Sequence, residues 1–286
     1  MKYSDITKLK HLAQDKISRS ANPAVVRNST VFFKNMQELI KQENLVKKGS
    51  KVDFYEYGRA GSQTTIALQN FISDLEGAHR TFLTSTGFGA VALAIMSICR
   101  PKDEIIVTDA VYAPTRMITS KLLKEFNVKT HFYNPESLES LKSKINKKTK
   151  MIFVENPGSN TFEFQDLSKI IKIAKKRKII TAIDNTWGTP FFIKPLKIGF
   201  DMSISSGTKY LSGHSDVMLG SLAVNKKVFE KVKFCNKLLG YRASPDDAYL
   251  VLRGLRTLDI RLKKHEESTK KIVNFLKTQK IINEIL

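Results

Sequence analysis

Disulfides and zinc are the first things this sequence lacks the means to build. Its 286 residues include two cysteines, Cys99 and Cys235, far apart and in no metal-ligand or redox spacing. The chain is therefore not a small stapled fold, and both thiols read as reduced, structural groups. The five histidines, His11, His79, His131, His214 and His265, stand singly. None has a second ligand roughly three to five residues away, which argues against a helical zinc motif and any metal site. No window approaches ~18 uninterrupted apolar residues, and the start MKYSDITKLKHLAQDK has no apolar signal core. The expected home is the cytoplasm, with no membrane partner. Acidic residues are also short: 27 against 48 lysines and arginines, a formal net charge of +21. Such an excess attracts anions, nucleic acid among them. The lysines are spread over the whole chain, clustering at Lys142, Lys144, Lys147, Lys148 and Lys150 and again at Lys172, Lys175, Lys176 and Lys178. They fall on polar faces and in turns, with no zinc-finger, RNP or basic-zipper pattern, and read as a solvated surface rather than a nucleic-acid groove.

What is present is a strand-helix alternation. Residues 1–54 show weak periodicity around the polar segment SRSANPAVVRNST, which suggests an N-terminal arm. From Thr64, the run TIALQNFISDLEG reads as an amphipathic helix through Leu68, Phe71, Ile72 and Leu75, ended by Gly77. The runs TFLTS, EIIVTD, VKTHFY, TKMIFVE, IITAID and DMSISS are strand candidates. Helices are predicted between most of them, over Ala90 to Ile98, Pro114 to Phe126, Leu138 to Ile145 and Leu167 to Lys176. This is the pattern of an α/β fold, a mostly parallel sheet flanked by helices, spanning residues 55–243. A third segment, 244–286, opens with Ser244 as N-cap, Pro245 at the first helical position and two acids. It predicts one long helix to about Lys280, with Leu252, Leu255, Leu258 and Leu262 as its buried stripe.

Ligands of such sheets bind beyond the carboxyl ends of the strands, so the polar residues there are the candidates. In SISSGTKYLSGHSDVMLG, Ser206 and Thr208 offer hydroxyls to a phosphate, and Lys209 offers an amine able to form an imine. On its own, a T-K pair after a strand is weak evidence, because most lysines are solvated surface groups. Asp184 ends the apolar strand IITAID, where a carboxylate is costly unless paired. It could hold a protonated pyridine nitrogen, or form a turn or helix cap with Asn185. In TFLTSTGFGAVALAI, the N–H groups of Gly87, Phe88 and Gly89 at a helix start make an anion site. Gly87, Gly89 and Ala92 with Asp109 also fit a dinucleotide fingerprint, which keeps a nicotinamide-dependent oxidoreductase open. Tyr112 follows another strand and could stack on a flat ring or sit as a half-buried aromatic. Tyr57 and Arg59 lie in a glycine-rich turn, where the guanidinium could grip phosphate or form a surface ion pair.

Taken together, the Y-G-R-x-G turn at Tyr57, the AIDNTW segment, the T-K-Y-x-x-G-H-S-D core at Lys209 and the helix RGLRTLDIRLKKHEEST resemble the Cys/Met-metabolism enzymes dependent on pyridoxal phosphate (PLP). The resemblance runs along essentially the whole chain, and Trp187 in D-N-T-W draws it toward the cystathionine beta-lyase branch. It implies the PLP-dependent transferase fold type I, like aspartate aminotransferase, and PLP as cofactor. It implies that Lys209 holds the cofactor as an imine and moves the Cα proton, that Asp184 pairs with the ring nitrogen, and that Tyr112 stacks on the ring. Gly87, Phe88, Ser206 and Thr208 would hold the phosphate, with Tyr57 and Arg59 reaching it from a neighbouring subunit of a homodimer or a dimer of dimers. The implied reaction is β-elimination of the small amino acid cystathionine, with gamma-synthase and gamma-lyase activities, or a non-catalytic protein of the same fold, as alternatives. The serine-glycine segment and the carboxylate-binding arginine of the family do not appear after the long helix. A C-terminally truncated chain is therefore expected, and Arg253, Arg256 and Arg261 are not assigned that arginine's role.

Overall fold

In a computed structural model, described over residues 4–11, 20–47 and 55–285, the six expected strands form and a seventh joins them. They are β1 (Arg80–Thr84), β2 (Glu104–Thr108), β3 (Lys129–Tyr133), β4 (Thr149–Glu155), β5 (Ile180–Asp184), β6 (Met202–Ser206) and β7 (Gly220–Val224). The sheet order is β1-β7-β6-β5-β4-β2-β3. The pairs β2/β3, β2/β4, β4/β5 and β5/β6 are parallel, whereas β7 runs antiparallel to both β6 and β1. Each parallel connection is a helical crossover. The segment from β6 to β7 carries Lys209 and turns the chain straight back, so β7 pairs antiparallel.

Burial on both faces follows from the two-residue period of a strand. Ile105, Val107, Met151, Phe153, Ala182, Met202 and Ile204 face helices Gly87–Ile98 and Phe229–Leu239. The alternate residues Ile106, Ile152, Val154 and Ile183 face Leu141, Ile170, Ile171 and Ala174 of helices Leu138–Lys144 and Leu167–Arg177. A third cluster joins helix Gln63–Glu76 to helix Pro245–Leu255 through Leu68, Leu75, Leu252 and Leu255. Helix Gln63–Glu76 starts with a Ser62/Thr65 capping box and ends at Gly77 in the left-handed region (φ 69°), a conformation that costs glycine little.

Two predicted helices are interrupted. The 114–126 stretch is helical over Ala113–Met117 and Leu123–Glu125, with a wider π turn at Ile118–Leu122 between them. The long C-terminal helix breaks after Leu255 and resumes as Leu258–Lys277. There the Gly254 carbonyl accepts Thr257 N at 3.1 Å, Thr257 Oγ1 at 3.1 Å and Arg261 Nη2 at 2.9 Å. These bonds divert it from the i+4 amide a continuous helix would offer. The four stripe leucines are nonetheless all buried. Of the expected arm, residues 1–3, 12–19 and 48–54 lie outside the described residues. Helix Asp5–Lys10 buries Leu9 in the third cluster and ties Lys10 to Asp259 and to the Arg256 carbonyl.

Candidate active site

Because β2, β4, β5 and β6 are parallel, their carboxyl ends lie along one edge, and the candidate residues collect there. Asp184 ends β5. Its Oδ1 accepts the Thr186 hydroxyl at 2.6 Å and the Thr186 amide at 3.0 Å. The Thr186 hydroxyl oxygen in turn accepts the Ser206 amide at 2.9 Å, so one hydroxyl couples the end of β5 to the end of β6. Ser206 packs against Gly87: a Cβ on Gly87 would fall 2.6 Å from Ser206 Oγ and 3.2 Å from its Cα. Thr86 caps the helix beginning at Gly87, its hydroxyl accepting the Gly89 amide. The amides of Gly87 and Phe88, at the first turn of the helix, are not bonded within it.

Lys209 sits in a π turn, Gly207–Leu211, where the backbone leaves helical dihedrals at Lys209 itself (φ −94°, ψ −114°). Its side chain is exposed and lines a cleft of about 890 Å³ with Thr186, Trp187, Thr208, Met218, Arg261 and His265. Trp187 forms one wall, edge-on to Phe162 at 5.2 Å and tilted against Tyr210 at 5.9 Å. The Thr208 hydroxyl accepts the Leu219 amide at 3.0 Å and lies 3.3 Å from the Leu219 carbonyl, so its proton is shared with the start of the return strand. Tyr112 is half-exposed, and its amide donates to Glu155 Oε2 at 2.8 Å.

Glu155 is the residue sequence reasoning missed. It ends β4 directly beside Asp184 in the β4/β5 register, and its signal was the one that marked Asp184: a carboxylate closing an apolar strand. Burial raises the pKa of both groups, and the charge of Asp184 pushes Glu155 further up, against bonds from the Tyr112 amide and the Ser159 hydroxyl. Among the described residues no lysine, arginine or histidine pairs with either carboxylate. A half-buried, partly desolvated acid without a cation is the environment a protonated ring nitrogen would complete.

Tyr57 and Arg59 are not brought to Lys209. They line a separate cleft of about 480 Å³ with Tyr55, Lys233, Lys237 and Arg242. Asp109, the acid of the dinucleotide fingerprint, is held by the Arg116 guanidinium.

A family model described as Cys/Met metabolism PLP-dependent enzyme matches residues 7–286. A protein of Rhizobium johnstonii provisionally named cystathionine beta-lyase is 38% identical over 282 residues, 98% of this chain and 69% of the relative. The cystathionine beta-lyase of Haemophilus influenzae is 34% identical over 262 residues, 91% of this chain and 65% of the enzyme. The solved cystathionine gamma synthase of Xanthomonas oryzae pv. oryzae superposes with a TM-score of 0.90 at 28% identity, covering 99% of this chain and 71% of that one. The sheet and its covering helices are those of fold type I, and the chain spans about two thirds of the length of these proteins. The chain belongs to the Cys/Met metabolism PLP-dependent enzymes, and pyridoxal phosphate is its cofactor.

Proposed function

We propose that the chain is a carbon–sulfur lyase that cleaves cystathionine by β-elimination, consuming water and yielding homocysteine, pyruvate and ammonia. The observation that carries this reading is the pairing of a half-buried carboxylate, Asp184, which has no cation partner among the described residues, with a lysine-bearing turn one strand away. When bound, pyridoxal phosphate supplies an electron sink for the pair of electrons left at the substrate Cα. Lys209 would hold the cofactor through its ε-amine and move the proton at the substrate Cα. Asp184 would hold the ring nitrogen in its protonated form, and Tyr112 would stack on the ring. The amides of Gly87 and Phe88 and the hydroxyls of Ser206 and Thr208 would hold the phosphate.

Tyr57 and Arg59 belong to the phosphate site of a second copy of the chain. Their separation from Lys209 within one copy supports a homodimer as the minimal unit, and the cytoplasm suits such an enzyme. The similarity to a gamma synthase favours a second reading, chemistry at Cγ on the same framework.

The test is product analysis. Cofactor-loaded protein given cystathionine should release pyruvate and homocysteine, and Lys209→Ala should release neither and lose the absorption band of lysine-bound cofactor. Release of 2-oxobutyrate and cysteine instead would establish the Cγ reading.

A further inference from the structure

Arg261 lines the Lys209 cleft but does not present its guanidinium as a free cation. Nη1 donates to the Tyr210 carbonyl at 2.8 Å, Nη2 to the Gly254 carbonyl at 2.9 Å and Nε to the Thr257 hydroxyl at 3.1 Å. One planar group therefore joins the residue next to Lys209 to the break between the two C-terminal helices. Among the described residues it has no carboxylate partner, so its bonds are spent on neutral oxygens of the backbone and one hydroxyl.

The surroundings are shaped to admit this grip. Gly213 has φ +76°, and a Cβ there would lie 2.3 Å from Arg261 Nη1 and 2.4 Å from Cζ. Any side chain at 213 would displace the guanidinium. On the other side, a Cβ on Gly254 would lie 2.1 Å from the Ser212 carbonyl oxygen and 2.6 Å from that of Leu211. The backbone of 211–212 thus rests directly on helix Pro245–Leu255. The turn also closes on itself: Ser212 N donates to Gly207 O at 3.0 Å, Gly213 N to Lys209 O at 2.8 Å and the Ser212 hydroxyl to the Thr208 carbonyl at 3.2 Å, but none of these ties it to the C-terminal helices.

We infer that Arg261 is a positioning residue, a clamp that holds the Lys209 turn against the break between the two C-terminal helices and so fixes where the Lys209 amine is delivered. The inference rests on the reading of Lys209 as the cofactor-bearing lysine. Lysine cannot replace Arg261, because an ammonium does not present N–H groups in the planar fork that meets three fixed acceptors.

The test compares wild type with Arg261→Met, Arg261→Lys and Gly213→Ala. Two quantities are read: hydrogen exchange of the Ser212 and Gly213 amides in the cofactor-free chain, and the rate at which added pyridoxal phosphate produces the lysine-bound absorption band. In all three variants exchange at both amides should be roughly tenfold or more faster and uptake roughly tenfold or more slower, while amides in β4 and β5 keep their protection. Unchanged exchange and uptake in folded Arg261→Met would overturn the clamp. Should that variant fail to fold, Gly213→Ala and Arg261→Lys decide by the same readings. Borohydride reduction and peptide mapping of wild type separate the two ideas. Cofactor found on another lysine defeats the functional reading, while the exchange measurement still judges the clamp.

Discussion

Glu76 closes helix Gln63–Glu76 with its carboxyl fully inside the protein. Oε1 accepts the Ser203 hydroxyl at 2.7 Å, and Oε2 has no partner. Burial pushes its pKa up from 4.5 to about 7, opposed by Ser203 and by Lys194. The folded chain therefore binds this proton more tightly than the unfolded chain, so stability is lost as pH rises from about 4.5 to about 7 and then levels off. The loss attributable to Glu76 is about 3 kcal/mol. Glu76→Gln should flatten that part of the pH–stability curve, as read by denaturant unfolding between pH 4.5 and 8; parallel curves for the two proteins would refute it. At the other end of the sheet, Gly87→Ala sets a methyl 2.6 Å from Ser206 Oγ. It should leave the fold intact and weaken cofactor retention roughly tenfold or more by closing the anion site, measurable by dialysis against the wild type.

At the scale of elements, most of what matters is how the two C-terminal helices meet the β6–β7 segment. Gly254 is the contact point, and a methyl there meets the Ser212 carbonyl oxygen at 2.1 Å, a backbone atom with little room to move. Gly254→Ala should cost about 1–3 kcal/mol, the usual range for overpacking, seen as a lower denaturant midpoint. An unchanged midpoint would mean that the helix is free to shift. The single continuous helix expected from the leucine stripe misses this junction because burial periodicity continues across it. What ends the first helix is the capture of the Gly254 carbonyl by Thr257 and by Arg261, seven residues away.

For the whole molecule, the net charge of +21 means that lysines repel one another across most of the surface. Among the described residues the ion pairs are mostly exposed, such as Lys142–Glu139 and Lys270–Glu266, and such pairs stabilise little. Raising the salt concentration from about 0.01 to about 0.15 M shortens the screening length from ~30 to ~8 Å. The melting temperature should rise over that range, and a flat or falling response would show that the charge is already balanced locally.

Much of this protein is written in short-range patterns. The strand runs, the Gly77 stop and the Ser244–Pro245 start act through backbone dihedrals and amides a few residues apart, and each is visible as a local string. Asp184 and Lys209 stood out the same way, as polar groups where apolar strands end. Two things were not visible: Glu155 beside Asp184 and the antiparallel return of β7. Each depends on which strands become neighbours and on how segments distant in sequence pack. Strand order is settled by the burial of whole faces rather than by any one residue, so the partner of a strand-end carboxylate is known only once the sheet has assembled.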